Sequence, residues 1–352
     1  VTGLTLRLDA ARWRMHLQTV AGATPGLVPV AKGNGYGYGL RRLAAEAEET
    51  IGVDTIAVGT AVEVAEVHDV FGGDIVILTP WRPDDELATE LAGDPRIITT
   101  VSRVADLEAL TDLNRDPRVL LEVLTSMCRH GIFPDELRRV RPLLEHIRFE
   151  GWTIHLPMLD EGRYAEAERL GRTALEAAQG PLWFSHLPAE DVAAVARQLG
   201  GAGAAAVPTR LRLGTRLWLG DPSSRTSTAT VLDVHRVKRG QRAGYRQRPV
   251  WADGWILVIA GGTSHGIGME APTPATSVRQ RAVSVATGSL AAAGRALSPY
   301  TVNGKKRWFL EPPHMQSSLV FLPAKETPPA VGEEVPVELR LTTATVDQIV
   351  EA

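Results

Sequence analysis

Residues 27–59 read LVPVAKGNGYGYGLRRLAAEAEETIGVDTIAVG, and their texture decides the fold. LVPVAK (27–32) is an uninterrupted apolar run of strand length, as strands covered on both faces tend to be. The glycine-rich turn GNGYGYG (33–39) follows it. LRRLAAEAEET (40–50) then spaces its apolar residues at helical intervals, and TIAVG (55–59) returns to strand texture. The unit is strand, turn, helix, strand.

Outward from that stretch the alternation continues. DIVILT (74–79), RIITT (96–100), RVLLEVL (118–124), IRFEGWTIH (147–155), PLWFSH (181–186) and TRLRLG (209–214) are further candidate strands. Between them AVEVAEVHDV (61–70), DELRRVRPLLEH (135–146) and YAEAERLGRTALEAA (164–178) carry helical periodicity, with Asp or Pro near several starts. Eight strands alternating with helices predict a (β/α)8 TIM barrel. An open doubly wound sheet is the alternative, but no GxGxxG follows the first strand. From about residue 221 the helical pattern fades. WILVIA (255–260), SSLVFLP (317–323) and EEVPVELRL (333–341) sit there among Gly and Pro turns. The expected class is therefore α/β: a barrel domain over 1–220, whose first strand is a candidate to pack with the C-terminal domain, and a mainly β domain over 221–352. GSLAAAGRALS (288–298) reads equally as a short helix or a buried loop.

Composition agrees with this. A chain of 352 residues exceeds what one small core organises, and 44% hydrophobic with 22% charged residues is ordinary for a globular protein. A net charge of -3 gives no reason to expect nucleic-acid or membrane partners, and the Arg-rich stretch 236–248 reads as a solvated edge. Cys128 is the only cysteine, which excludes an intrachain disulfide and a cysteine metal cluster. VTGLTLRLDAARW lacks the apolar core of a signal peptide, and no run is long enough to span a bilayer, so a cytoplasmic location is expected.

Barrels carry chemistry at the C-terminal ends of their strands. Lys32 ends the first strand, Arg129 follows the fifth, His155 ends the sixth, Ser185 the seventh, and Arg212 lies late in the eighth. Each alone is an ordinary rim residue; five converging on one mouth are not. The glycines after Lys32 let backbone approach a ligand, and a desolvated lysine becomes nucleophilic toward an aldehyde. Across the mouth, Gly214 and Thr215 lie where the eighth strand feeds a short helix, a place where barrels bind phosphate. A Schiff-base lysine opposite a phosphate seat is the layout that pyridoxal 5'-phosphate needs.

Here the sequence resembles a known family. AKGNGYGYG (31–39) is similar to the cofactor-lysine motif of alanine racemases at Lys32, Tyr36, Gly37 and Gly39. EVLTSMCRHG (122–131) resembles a second motif at Val123, Thr125, Met127, Arg129 and Gly131. WTIHLP (152–157), LRLGTRLWLGDP (211–222), GQRAGY (240–245) and VNGKKRWFLEPPHM (302–315) extend the likeness over most of the chain. The resemblance implies a pyridoxal-phosphate isomerase of fold type III, a racemase of a small amino acid. In it Lys32 is both Schiff base and acid–base group, and Tyr36, Ser185, Gly214 and Thr215 hold the phosphate. Arg129 contacts the phenolic oxygen, His155 lies beside the ring and Arg212 faces its nitrogen. It also implies a homodimer with shared active sites, and Glu122 standing where the family has a modified, anionic lysine that orients the arginine.

Two-base racemisation needs a second proton group. The family's catalytic tyrosine, in the second domain, aligns with Gly262 in IAGGTSHGIG (259–268); His265 or Ser264 is the candidate substitute. In the substrate loop HMQS (314–317), Met315 is kept and Gln316 replaces an aspartate. A divergent racemase is the leading expectation. A one-base pyridoxal-phosphate enzyme (decarboxylation, elimination or transamination) and a non-catalytic pyridoxal-phosphate-binding homologue are the alternatives.

Overall fold

A computed structural model describes residues 2–113, 115–159, 161–201, 205–269 and 296–352. The chain forms two compact units, Arg14–Asp221 and Val1–Trp13 with Pro222–Ala352. In chain order the strands are β1 (Leu4–Leu8), β2 (Leu27–Pro29), β3 (Thr55–Val58), β4 (Asp74–Ile77), β5 (Ile97–Val101), β6 (Arg118–Val123), β7 (Arg148–His155), β8 (Leu182–Ser185) and β9 (Thr209–Leu213). Then come β10 (Arg225–Val237), β11 (Arg242–Ala243), β12 (Arg248–Pro249), β13 (Gly254–Ala260), β14 (Leu297–Val302), β15 (Lys305–Phe309), β16 (Ser317–Pro323), β17 (Glu334–Pro336) and β18 (Gln348–Glu351). The α-helices are α1 (Ala10–Gly22), α2 (Leu40–Glu46), α3 (Val64–His68), α4 (Glu86–Leu91), α5 (Val104–Thr111), α6 (Arg163–Ala177), α7 (Ala189–Gly200) and α8 (Thr215–Leu219).

The larger unit is the expected barrel. Its parallel strands run β2-β9-β8-β7-β6-β5-β4-β3, and a bridge between Val30 and Ala57 joins the two ends. Val28, Val30, Ala57, Val76, Ile98, Leu120 and Trp183 fill the interior, one or two from most strands, because period-two alternation sends every other side chain inward. At the strand starts, Arg118 pairs with Asp74 at 2.5 Å and with Glu150 at 2.7 Å, tying β6 to its neighbour β7 and, past β5, to β4. All eight strand candidates between 27 and 214 are strands. The stretch 135–146 differs: Leu137–His146 is a 3-10 helix. Pro142 explains it, since proline lacks the N–H of an α-helical bond and its ring crowds the carbonyl one turn back.

The smaller unit is a mostly antiparallel sheet ordered β14-β15-β16-β13-β10-β1-β18, with β17 also on β10. β1 lies in this sheet: it pairs antiparallel with β10 from Leu4↔Ala229 to Leu8↔Arg225 and parallel with β18. Leu4, Val231, Leu257, Ile259, Tyr300, Val320 and Leu322 anchor its core. EEVPVELRL is strand only over β17 and a single bridge at Val337, because Pro336 cannot donate to a ladder. Residues 288–295 of GSLAAAGRALS lie outside the described residues, and Leu297 and Ser298 open β14. Among the described residues no helix is long and apolar enough to cross a membrane.

Candidate active site at the barrel mouth

Lys32 stands just beyond β2 and is the only lysine of residues 14–221. The chain leading to it is pinned on both sides: Val30 N–H donates to Leu213 O at 2.8 Å and Ala31 N–H to Ala57 O at 2.8 Å. The side chain opens into the mouth, where burial, then the Arg129 and Arg212 charges, hold its pKa below that of an ordinary lysine; Glu63 opposes them. More of the neutral, nucleophilic amine is thus present near neutral pH.

The glycine turn after Lys32 brings Tyr36 back to the end of β9. Tyr36 is buried and adopts φ 55°, ψ 31°, a left-handed backbone that its glycine neighbours make reachable. Its hydroxyl shares a hydrogen bond with the Thr215 side chain, and burial raises its pKa. A Cβ at Gly214 would lie 2.1 Å from that hydroxyl, so glycine there is what admits the tyrosine. Tyr36, Gly214 and Thr215 therefore meet, as the expected phosphate seat requires.

Ser185 is placed differently. It ends β8, is buried, and its Oγ lies 2.6 Å from His155 Nδ1 and 3.5 Å from Arg212 Nη2. It joins the two ring-facing candidates, whereas Tyr36, Gly214 and Thr215 form a separate group. His155 ends β7, and its pKa is pushed down to about 2 by burial first and then by Arg212, Arg129, His186 and Lys32. Its ring is a neutral hydrogen-bonding surface at neutral pH. Arg212 is 6% exposed and its pKa is lowered to about 10, chiefly by burial. Its Nε is buried with no hydrogen-bond partner.

Arg129 sits in the loop after β6, which is closed by Leu124 N–H to Ile132 O (2.9 Å) and Ile132 N–H to Glu122 O (2.7 Å). Gly131, at φ 134°, makes that closure, since a Cβ there would meet Leu124 N at 2.2 Å. The Arg129 guanidinium lies 4.0 Å from the Glu122 carboxylate. Glu122 is 3% exposed; burial raises its pKa against the pull of Arg212, Arg129 and Arg82, and its Oε2 is unpartnered.

The structure also brings in residues the sequence reading passed over. His186, directly after Ser185, has a left-handed φ of 60° and packs edge-on against His155 with ring centroids 5.1 Å apart. Burial, Arg212 and Arg163 lower its pKa. Its position after a strand end was the available signal. Glu63, read only as part of a helical stretch, accepts hydrogen bonds from Gly33 N–H and Gly59 N–H, and no spacing announced it.

The two remaining candidates lie in the smaller unit. His265 is 9% exposed with both ring nitrogens engaged: Nδ1 accepts from Gly262 N–H at 3.3 Å and Nε2 lies 3.0 Å from Asp347 Oδ1. Both ring nitrogens are thus hydrogen-bonded within the smaller unit. Met315 is 72% exposed, and its carbonyl accepts from Ser264 N–H and Oγ. A Cβ at Gly262 would lie 2.1 Å from His314 O, so this backbone has no room for a side chain.

A pyridoxal-phosphate site requires an amine for the aldehyde, a polar partner for the ring and a seat for a dianion. The mouth has a lysine with depressed pKa, a buried arginine with an unsatisfied donor, an orphaned carboxylate oxygen beside two arginines, and the Tyr36–Thr215 pair. The residues fit the group.

Barrel, strand-end lysine and cationic mouth together define a fold type III pyridoxal-phosphate enzyme scaffold. Residues 8–196 match the model of the alanine racemase N-terminal domain, and the chain belongs to the alanine racemase family. It is 35% identical over 137 residues to an alanine racemase of Deinococcus deserti, covering 38% of this chain and 37% of that one. It is 30% identical over 143 residues to one of Campylobacter concisus, covering 40% and 39%. The aligned part thus spans well under half the length of these relatives. Among solved structures, alanine racemase of Bartonella henselae with covalently bound pyridoxal phosphate matches with a TM-score of 0.72 at 16% identity, over 100% of both chains. Alanine racemase of Clostridium difficile matches with 0.71 at 16% identity, over 99% of this chain and 96% of that one. These likenesses show the shared fold.

Proposed function

We propose that this protein is a pyridoxal-phosphate-dependent racemase of a small amino acid, nominally alanine, with Lys32 as its central residue. The observation that carries the reading is the barrel's single lysine, held at a strand end in the mouth with its pKa lowered by burial and two arginines. When bound, the cofactor withdraws electron density from the amino acid's Cα–H bond and makes that proton removable.

The chain's own groups do the rest. Lys32 Nζ would hold the cofactor and exchange the proton at Cα on one face, and His265 is the candidate for the proton on the opposite face. Tyr36 and Thr215, with the backbone at Gly214, take the phosphate. Arg212 would serve the ring nitrogen and, as a cation, would disfavour protonation there and limit side reactions. Ser185 holds Arg212 and His155 in register through one hydroxyl. Arg129 would hold the phenolic oxygen, oriented by the Glu122 carboxylate in the place of a modified lysine. Met315 belongs to the substrate loop, the family resemblance supports a homodimer with shared active sites, and the single cysteine fits a reducing cytoplasm.

Two measurements test this. Added pyridoxal phosphate should give a visible absorbance band that is lost in Lys32→Ala; no band even at excess cofactor refutes the reading at its root. Exchange of the α-proton of L- and D-alanine in deuterated water should then proceed with inversion. A second reading, a one-base reaction at Lys32, is favoured by the closed backbone at Gly262 and the engaged nitrogens of His265. It predicts exchange without inversion, whereas cofactor binding with no exchange on any amino acid marks a non-catalytic homologue.

A further inference from the structure

The strand end that carries Lys32 is fastened by a group outside the expected site. Glu63 lies in the short turn Ala61–Glu63 that follows β3 and precedes α3. Its Oε1 accepts from Gly33 N–H at 3.0 Å, the peptide immediately after Lys32. Its Oε2 accepts from Gly59 N–H at 2.6 Å, at the exit of β3. One carboxylate therefore bridges the exits of β2 and β3, the two strands whose ladder is reduced to a bridge at Val30 and Ala57.

Gly59 shows how tight this junction is. A Cβ built there would lie 2.9 Å from Glu63 Oε2 and 3.1 Å from Lys32 Cβ, so the carboxylate and the lysine stem converge on the space that glycine leaves. We propose that Glu63 is a positioning residue for Lys32: its carboxylate clamps the backbone that aims the lysine and supplies the negative charge that offsets Arg129 and Arg212 at the amine.

The amine is faced by Arg129 from the loop after β6, Arg212 from β9, His155 from β7, His186 from the end of β8, and Glu63. Arg129 and Arg212 favour loss of the lysine's proton; Glu63 alone of this set favours its retention. The carboxylate thus limits how far the arginines acidify Lys32 while keeping its backbone in place. A charge acting on a partly desolvated amine has leverage that exposed charges lack.

The inference rests on Lys32 being the functional amine, yet its test needs no cofactor. The full chain has five lysines, and Lys32 is the barrel's only one. Reductive methylation with 13C-formaldehyde makes each lysine visible by NMR, and the Lys32 resonance is the one missing from Lys32→Ala. In Glu63→Gln the Lys32 amine should titrate at lower pH than in wild type. Glu63→Asp, which keeps the charge, should recover most of the wild-type titration. A purely structural role predicts a changed melting temperature with no charge-dependent difference between Gln and Asp. An unchanged Lys32 titration in Glu63→Gln overturns the proposal, and if that variant does not fold, a wild-type-like titration in Glu63→Asp must be lost in Glu63→Asn. Should pyridoxal phosphate fail to bind wild type while the titration still moves, the functional reading fails and the role of Glu63 stands.

Discussion

Replacing Gly214 with alanine tests the phosphate seat at a single atom. The new Cβ would sit 2.1 Å from the Tyr36 hydroxyl, 3.0 Å from Cζ and 3.6 Å from Val30 Cβ. Gly214 has φ −116°, so alanine meets no left-handed backbone penalty there, and the effect falls on Tyr36. Tyr36 is 7% exposed and has little space to retreat. Overpacking of this kind costs about 1–3 kcal/mol, and losing the bond to Thr215 adds about 1 kcal/mol. Tyr36→Phe removes the atom at 2.1 Å and leaves a ring carbon at 3.0 Å. The double variant should therefore be at least about 1 kcal/mol more stable than the two single changes added together. Urea unfolding of the four proteins measures this, with midpoints compared at constant m-value. Pyridoxal-phosphate titration should show at least a tenfold weaker Kd for Gly214→Ala, equivalent to about 1.4 kcal/mol. Additive stabilities within about 0.5 kcal/mol, or an unchanged Kd, would refute the packing argument.

Three further outcomes follow from the mouth. Because His155 is held near pKa 2 in the folded chain while an unfolded histidine titrates near 6.5, its contribution is present above pH 6.5 and is lost as pH falls toward 2. His155→Gln should flatten the decline in urea midpoint between pH 6.5 and 4, a slope of at most about 1.4 kcal/mol per pH unit, reduced by solvent at the partly exposed ring; an identical decline in both proteins contradicts this. Glu122→Ala should weaken pyridoxal-phosphate binding about tenfold as Arg129 loses its nearby anion, whereas an unchanged Kd removes Glu122 from that role. Gly131→Ala drives a Cβ against the Leu124 backbone at φ 134°, so a loss of about 2–3 kcal/mol and a melting temperature lower by roughly 5 °C are expected; full wild-type stability would show that the loop closes otherwise.

The fold was legible because it is written in local periodicity. Runs rich in branched aliphatics at 55–59, 74–79 and 118–124 have nowhere to go but a sheet covered on both faces, and the fading of helical spacing near 221 marks the change of unit. Where one residue vetoed a pattern, as Pro142 and Pro336 do, the periodicity remained but the backbone could not follow it. The positions of Lys32, Arg129, His155 and Arg212 at or just after strand ends were legible because a barrel strand delivers its last residues to the mouth, whereas Tyr36 was singled out only by the family resemblance.

What tertiary structure alone decided is which of these groups touch. Ser185 meets His155 and Arg212, on strands 30 and 27 residues away, because neighbouring strands align in register there. His265 meets Asp347 across 82 residues, and Glu63 meets the peptide after Lys32 because the barrel closes between β2 and β3. Sequence patterns record what each segment prefers and which face it buries; contacts between segments depend on register and closure. Residues 27–59 therefore announced a strand leading to a lysine, and only the folded barrel showed the carboxylate bonded to the peptide just beyond it.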